Sequence, residues 1–205
     1  MIRKPAIAIK GPPKPHRDAR LFCIACEGEQ TEFQYFHFDF LKNSQVKIHV
    51  IPTRNGLSAP NYVRQNLCDY VKKNRIHAGD QLWLVVDRDK WPQSQLDAIR
   101  NQRIRNTAIQ VAMSNPCFEL FLYLHLEEMP QKPISNSHEM EKMLRKKLGW
   151  YSKVRLDESN YVNSFLVAVA RGEMTKHGSD GFPLNPGTDV GKIVKEIISL
   201  KPKKE

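Results

Sequence analysis

Two apolar runs of the same design stand out along the chain, and each ends in acidic residues. Residues 21–26 are apolar throughout and stop at Glu27, which a glycine follows. Residues 82–86 are also wholly apolar and lead into Asp87 and Asp89. Short apolar runs of this kind are typical of strands that are buried on both faces of a parallel sheet. Both strands are therefore expected to carry carboxylates at their C-terminal tips.

The segments between and after these runs alternate strand and helix patterns. Residues 46–51 and 107–113 predict two further strands. Helices are predicted for the three connecting segments, at residues 31–41, 58–76 and 93–105, with Thr31 as the N-cap of the first. This order implies right-handed crossovers and an α/β fold, a mostly parallel sheet flanked by helices. The wholly apolar run at 82–86 should lie centrally in that sheet.

A third apolar stretch carries a single acid. Pro116 fits the first position of a helix that extends to His125 and is apolar on nearly every side. Glu119 is therefore expected to be buried. A buried carboxylate needs a partner such as a metal ion, an arginine or a backbone donor, because burying it unpaired is costly.

The sequence predicts that the chain is divided into three segments. Residues 1–19 are rich in proline and basic residues and read as a basic flexible arm. Residues 20–128 hold the α/β core. A polar linker with two prolines then introduces residues 129–205, a helical C-terminal subdomain packed on the core, with helices predicted at 137–148, at 159–171 and from 186 onwards.

Composition narrows the class of protein. At 205 residues and 40% hydrophobic, the chain can bury one sizeable core. No apolar stretch approaches eighteen residues, so neither a membrane span nor a secretory signal is expected, and a cytoplasmic location is predicted. The four cysteines are expected to be reduced core thiols. Zinc binding by Cys23 and Cys26 is disfavoured, because residues three apart on a strand point to opposite faces.

The net charge of +10 is unevenly distributed. Residues 1–20 and 201–205 together contribute +7, and residues 140–155 contribute another +5, so the remainder sums to about −2. An acidic core with basic flanks suits a metal-dependent enzyme that acts on a nucleic-acid backbone. Tails that serve only as solubilising arms are the alternative.

The acids at the strand tips predict a divalent-metal site. The carboxyl ends of parallel strands open onto one crevice, so Glu27, Asp87 and Asp89 should face each other there. Mg²⁺ and Mn²⁺ prefer oxygen ligands and need few protein carboxylates, because water and substrate phosphate complete the shell. Glu27 is expected either to bind the ion or to act as a general acid or base.

This arrangement resembles a known family. An apolar strand followed by Glu-Gly, with a later apolar strand followed by Asp-x-Asp, is the Toprim pattern of topoisomerases, DnaG-type primases and nucleases related to the overcoming-lysogenization-defect proteins. More narrowly, four motifs in order look like the RloB family, which is found beside bacterial restriction and phage-defence genes: CEGEQTE at 26–32, VVDRD at 85–89, SNPCFEL at 114–120 and NPGT at 185–188. The resemblance spans about residues 20–200.

The resemblance implies a Toprim-like fold and Mg²⁺- or Mn²⁺-dependent hydrolysis of phosphodiester bonds. The protein would then be a nuclease of DNA or RNA, with tRNA among the candidate substrates, in anti-phage defence or restriction, with room for a partner protein of the same system. Glu27 takes the place of the Toprim glutamate, and Asp87 and Asp89 that of the metal-binding aspartates. Glu32 falls near a second glutamate that related nucleases use for another metal, and Glu29 is the alternative.

Further residues are predicted to take part in the site. Glu119 lies within the SNPCFEL motif and is expected either to bind metal, as a catalytic residue, or to cap a helix against the site. Lys176 and His177 lie on a loop that can reach the scissile phosphate, with a solvated loop as the alternative. Basic residues at Arg54, Arg88, Lys90 and 140–155 would hold the substrate backbone, and aromatic residues at Trp91, Trp150 and Tyr151 would stack on unpaired bases. Core packing is the alternative for the last two.

Two other functions compete with the nuclease hypothesis. One is a different Toprim activity such as phosphoryl or nucleotidyl transfer, and the other is a non-catalytic nucleic-acid-binding or regulatory module. The intact Glu27, Asp87 and Asp89 favour catalysis, because crowded acids without a task reduce stability.

Overall fold

The computed structural model describes residues 19–53, 58–88 and 91–201. The strands in these ranges are β1 (Arg20–Cys26), β2 (Val46–Pro52), β3 (Gln81–Asp87), β4 (Arg103–Ile104), β5 (Thr107–Asn115) and β6 (Gly187–Thr188). The α-helices are α1 (Thr31–Tyr35), α2 (Pro60–Lys73), α3 (Gln93–Asp97), α4 (Glu119–Leu124), α5 (Ser137–Leu148), α6 (Phe165–Gly172) and α7 (Val190–Ser199). Short 3₁₀ turns lie at Asp39–Leu41 and Glu158–Asn160.

These elements form a mixed α/β fold around a mostly parallel sheet. This confirms the predicted α/β class and the predicted parallel sheet. The strand order is β2-β1-β3-β5-β4, and β6 pairs with β5. Neighbouring strands are parallel from β2 through β5, whereas β4 and β6 run antiparallel to β5. Strand β3, which contains the wholly apolar run 82–86, lies at the centre, as predicted. The register sets Cys26 opposite Pro52 and Val85, so the C-terminal ends of β1, β2 and β3 meet at one edge of the sheet.

Hydrophobic layers cover both faces of the sheet. Side chains of β1 alternate between them, so Cys26 packs in one layer and Cys23 in the other, as the strand periodicity predicted. All four cysteines are free thiols. The Cys26 layer holds apolar side chains of α1, α4, α5, α6 and α7, and the Cys23 layer those of α2 and α3.

The C-terminal third contributes directly to the Cys26 layer. Val169 of α6 and Ile193 of α7 belong to the same buried cluster as Phe22 and Ile24 of β1. Helix α5 has the predicted bounds, and its N-cap Asn136 accepts a hydrogen bond from the backbone N–H of Glu139 at 3.0 Å. The boundary between residues 128 and 129 stays a prediction, and the predicted arm lies outside the described residues apart from residue 19. Among the described residues, no helix has the length and apolar character that a membrane span needs.

The prediction of one helix over residues 93–105 was wrong. Helix α3 ends at Asp97, and β4 pairs with β5 through a two-residue turn at Arg105 and Asn106, whose φ angles are 46° and 67°. Leu96 is the one buried residue of α3. Ile99 is the one other buried residue of the segment 93–105, and two buried side chains give too narrow an apolar stripe to stabilise three helical turns.

Several helix starts also differ from the prediction. Helix α6 begins at Phe165 rather than at residue 159, because residues 158–160 form a 3₁₀ turn, and α7 begins at Val190 rather than at residue 186, because Gly187 and Thr188 pair with β5.

Thr31 is the first residue of α1 rather than its N-cap, and α1 ends at Tyr35 because the chain turns there to bring Tyr35 among several aromatic rings. Pro116 precedes α4 instead of opening it. Asn115 still belongs to β5, where it pairs with Gly187, so the chain turns over residues 116–118 before the helix begins at Glu119.

Candidate functional site

A cleft of about 370 Å³ opens at the C-terminal edge of the sheet. Elements that are distant in sequence line it: the tips of β1 and β3 and the first turns of α1 and α4. We call it the acidic cleft because five carboxylates and one lysine line it, namely Glu27, Glu29, Glu32, Asp87, Glu119 and Lys153. The structure therefore brings together four of the five predicted catalytic or metal-binding acids. The fifth, Asp89, lies outside the described residues.

Glu27 connects the tips of the two central strands. Its backbone N–H donates to the carbonyl of Val85 at 2.9 Å, which extends the β1–β3 pairing by one residue. Its Oε2 accepts a hydrogen bond from the backbone N–H of Asp87 at 3.0 Å, and its Oε1 accepts one from Nε1 of Trp91 at 3.1 Å. These bonds hold the Glu27 carboxylate beside Asp87.

Glu32 lies deep in the cleft although it sits in the first turn of α1. It is 4% exposed, and its Oε1 accepts a hydrogen bond from the backbone N–H of Gly28 at 2.9 Å. A Cβ atom at position 28 would collide with the Glu32 carboxylate, so the glycine of the Glu-Gly motif permits this close approach. Glu29 is exposed at the rim. Of the two alternatives left open by the sequence, the structure places Glu32 in the buried cluster.

The electrostatics of the cleft are dominated by burial and by like charge. Burial raises the pKa of Glu32 to about 7, with the Glu119 and Glu27 carboxylates adding to the effect and hydrogen bonds such as that from Gly28 opposing it. Burial also raises the pKa of Asp87, and Glu32, Glu27 and Glu119 raise it further. The cleft therefore favours a bound cation or bound protons over ionised acids alone.

Glu119 has a cationic partner within the protein. It is the first residue of α4 and is 3% exposed. Its Oε1 accepts a hydrogen bond from the Tyr151 hydroxyl at 3.2 Å and lies 2.8 Å from Nζ of Lys153, which also lies 3.1 Å from Glu141. Burial alone would lower the pKa of Lys153, but Glu119 and Glu141 outweigh it and hold that pKa above its usual range. The predicted need of Glu119 for a partner is met by a lysine.

A side-chain amide on α1 holds the Lys153 segment in place. Gln34 Nε2 donates to the carbonyl of Lys153 at 2.9 Å, and Gln34 Oε1 accepts from the backbone N–H of Leu156 at 2.9 Å. Sequence reasoning missed both Gln34 and the role of Lys153. Lys153 falls in the basic segment that was assigned to substrate binding, and no local pattern connects it with Glu119.

The donor set is of the type that Mg²⁺ or Mn²⁺ takes, but it is not assembled as a metal site by the described residues alone. Within those ranges, no three His, Cys, Asp or Glu side chains form a group that could hold a metal ion. Glu27 is bonded to Asp87 N–H and Trp91, and Glu119 to Lys153 and Tyr151. All the acids of the cleft carry the carboxylate oxygens that these ions prefer.

Among the predicted substrate-binding residues that the structure describes, Lys153 of the basic segment lines the cleft, whereas Arg88, Lys176 and His177 do not. Arg54 and Lys90 lie outside the described residues. Arg88 donates to Asp180 at 3.1 Å, and His177 Nε2 lies 2.9 Å from Asp189 Oδ1, so both contact the C-terminal part of the chain. Neither Lys176 nor His177 lines the acidic cleft.

The three aromatic residues proposed to stack on bases have three different environments. Trp91 hydrogen-bonds Glu27 at the cleft, Tyr151 is 5% exposed and bonds Glu119, and Trp150 is 58% exposed. Because its ring is buried, Tyr151 cannot stack on a nucleobase.

Comparison with known proteins places the chain in a family. The family model described as RloB-like protein matches residues 22–197, which contain every acid of the acidic cleft. Neither a search of curated proteins nor a search of solved structures gave a match.

Proposed function

The chain belongs to the RloB-like protein family, and from this premise we propose that it is a divalent-metal-dependent nuclease with a Toprim-like fold. One observation carries the proposal: strands β1 and β3 and helices α1 and α4 bring four of the predicted catalytic or metal-binding acids into a single cleft, where burial and mutual repulsion raise the pKa values of Glu32 and Asp87. Crowded carboxylates of this kind are common at functional sites and are relieved by a cation.

Glu27, Asp87 and Asp89 would hold Mg²⁺ or Mn²⁺, with Glu32 as a further ligand. A bound ion would lower the pKa of an attacking water, and a second ion, which the number of acids permits, would stabilise the departing oxygen of the phosphodiester. The chain's own part is to position these groups. The Asp87 N–H and the Trp91 indole orient Glu27, and the N–H of Gly28 orients Glu32.

Lys153 gives the cleft a positive group beside the acids. Its side chain is 44% exposed, so the ammonium that pairs with Glu119 can also meet a substrate phosphate. With a net charge of +10 the chain suits nucleic acid as its substrate. We propose DNA or RNA, with tRNA among the candidates, and a role in bacterial anti-phage defence or restriction.

The direct test is a cleavage assay with the full chain. Plasmid DNA, single-stranded DNA and total tRNA are each incubated with the protein in Mg²⁺, in Mn²⁺ and in EDTA. We expect cleavage of at least one substrate by the wild type in metal, and none in EDTA or with Glu27→Gln. The matched control is Glu173→Gln, which changes an exposed carboxylate paired with Lys195 and should cleave normally. Cleavage that persists in Glu27→Gln would remove the acidic cleft from the reaction.

A non-catalytic nucleic-acid-binding or regulatory module is the second candidate. It is favoured by the ion pair and the hydrogen bond that Glu119 already makes with Lys153 and Tyr151 inside the cleft. Nucleic-acid binding without cleavage in any metal, together with a melting temperature that Mn²⁺ does not raise, would establish this module in place of the nuclease.

A further inference from the structure

A second concave surface lies along the outer edge of the sheet. It encloses about 490 Å³ between the edge strand β2 and helix α2, and it shares no lining residue with the acidic cleft. We call it the edge groove, and the residues that matter to its chemistry are His49, Pro52, Tyr62, Asn66, Tyr70 and Lys73. None of these residues has a part in the proposed metal site.

Aromatic rings form the floor and rim of the edge groove. The rings of His49 and Tyr70 stack with centroids 4.3 Å apart and planes 24° apart. Tyr62 is 50% exposed. Burial lowers the pKa of His49, and Lys47 and His37 lower it further, so the imidazole is a neutral ring at neutral pH. Rings displayed in this way stack on nucleobases of any sequence.

Cations gather at the end of the groove that lies beside the C-terminus of α2. Lys73 lines the groove there, and Arg75 is exposed two residues further on. Arg105 extends this cluster, because its guanidinium donates to the carbonyls of Lys72 and Asn74 at 3.3 and 3.5 Å. Asp69 is the one acid that lines the groove, and it is paired with Lys72 at 3.1 Å. This end is therefore complementary to phosphate.

The opposite end of the groove adjoins the acidic cleft. Pro52, which lines the groove, pairs with Cys26 in the sheet, and the Thr53 hydroxyl donates to the carbonyl of Cys26 at 2.9 Å. The next residue is Glu27. Tyr62 lies at this end, because α2 begins where the chain returns from β2. A chain lying along the groove from its basic end would thus be directed toward Glu27.

We propose that the edge groove binds a single-stranded segment of nucleic acid and leads it into the acidic cleft. Bases stack on Tyr62 and on the His49–Tyr70 pair, the amide of Asn66 faces their edges, and phosphates meet Lys73 and its neighbours. A duplex does not fit this surface, because its base faces are already stacked on each other. The proposal deepens the nuclease function proposed above and rests on it, since it names the substrate class of that same cleft.

The test is fluorescence anisotropy with a labelled single-stranded 12-mer, measured in EDTA so that nothing is cleaved. Tyr62→Ala should weaken binding about tenfold, as loss of one stacked base does, whereas Tyr62→Phe should bind like the wild type. Lys73→Ala/Arg75→Ala should weaken binding and flatten its dependence on salt. Phe33→Ala, which removes an aromatic side chain 38% exposed outside the groove, should leave affinity unchanged. A duplex of the same sequence should bind more weakly and show no effect of Tyr62→Ala.

Two results would overturn the edge groove as the binding surface. One is unchanged affinity in both Tyr62→Ala and Lys73→Ala/Arg75→Ala, and the other is loss of binding in Trp150→Ala with Tyr62→Ala unaffected, which moves stacking to Trp150. The cleavage assay separates this proposal from the one on which it rests. Tyr62-dependent binding without any cleavage rejects the nuclease and keeps the groove, whereas cleavage with Tyr62-independent binding rejects the groove alone.

Discussion

The two ends of the central strand β3 each carry a partly or fully buried aspartate in opposite surroundings. Asp80 immediately precedes the strand, is 7% exposed, and accepts hydrogen bonds from the backbone N–H groups of Leu21 at 2.9 Å and His77 at 2.7 Å. Asp87 ends the strand among carboxylates that raise its pKa. The comparison shows that burial alone does not mark a site. The groups around each aspartate make the difference. Backbone N–H groups satisfy the Asp80 carboxylate, whereas neighbouring carboxylates repel that of Asp87.

The largest effect is expected from the same substitution made at each end of β3. Under the nuclease function proposed above, Asp87→Asn should reduce cleavage at least about a hundredfold, because a residue that holds the ion would matter more than residues that orient the ligands. Asp80→Asn should keep cleavage but lower the free energy of unfolding by about 1–3 kcal/mol, because an amide cannot accept both N–H groups as well as a carboxylate does. Cleavage rates and urea unfolding of both variants measure this difference. Equal loss of cleavage in the two variants would refute the contrast.

The crowding at the cleft predicts that removing a charge stabilises the protein. The pKa of Glu32 is about 7 in the folded protein against an ordinary 4.5. The unfolded chain is therefore ionised between these values while the folded protein holds a proton, so stability falls as pH rises through this window. Glu32→Gln should raise the free energy of unfolding by up to about 3 kcal/mol at pH 8, and by nothing near pH 4.

Urea unfolding in EDTA at the two pH values measures this stabilisation. Glu173→Gln, at an exposed carboxylate, is the control and should change little at either pH. The prediction fails when Glu32→Gln is no more stable than the wild type at pH 8.

A buried histidine away from the cleft predicts the opposite dependence on pH. His125 is 3% exposed, its Nε2 lies 3.0 Å from the Tyr35 hydroxyl and its Nδ1 lies 3.2 Å from the Tyr161 carbonyl. A carbonyl only accepts, so Nδ1 carries the proton and Nε2 accepts from Tyr35. Burial lowers the pKa of His125 to about 4 from an ordinary 6.5, with Arg171 lowering it further and the Tyr161 carbonyl opposing the change.

Protonation of His125 in the unfolded chain should therefore destabilise the protein in acid. The stability that the neutral His125 imidazole contributes is fully present above pH 6.5. As pH falls from 6.5 to 4, the free energy of unfolding should decrease by about 2–3 kcal/mol. Measured in the Glu32→Gln background, which removes one opposing dependence, unfolding free energy should fall across this window. The raised pKa of Asp87 still opposes this fall, so the decisive comparison is with Glu32→Gln/His125→Gln. The same slope in both variants from pH 7 to pH 4 would contradict the assignment of His125 as a neutral core residue.

The smallest effect is expected at the lysine of the cleft. Lys153 is 44% exposed, and the Tyr151 hydroxyl still donates to the buried Glu119 when the lysine is removed, so Lys153→Gln should lower the unfolding free energy by only about 1–2 kcal/mol. It also removes the positive charge beside Glu119, so Mn²⁺ should raise the melting temperature more than in the wild type. Lys195→Gln, at an exposed ion pair, is the control. An Mn²⁺ response equal to that of the wild type would exclude Lys153 as a competitor for the cation.

Sequence patterns predicted the elements whose burial is regular along the chain. The apolar runs of β1 and β3 and the bounds of α5 agree with the structure, because two-sided burial and a capped amphipathic helix leave clear local signals. Residues 93–105 and 31–41 were predicted poorly. Their outcome depends on the β4–β5 turn and on aromatic packing around Tyr35, which are contacts with other parts of the chain.

By itself the sequence determined which acids end strands, and the parallel order then required Glu27 and Asp87 to meet at one edge. The tertiary structure decided what surrounds them. Glu32 is buried there and Glu29 is not, and Glu119 forms an ion pair with Lys153. The Lys153 carbonyl in turn accepts a hydrogen bond from Gln34, 119 residues earlier in the chain. Periodicity reports only whether a residue faces the core. Which charges share that core depends on contacts between distant segments, and these set the electrostatics of the acidic cleft.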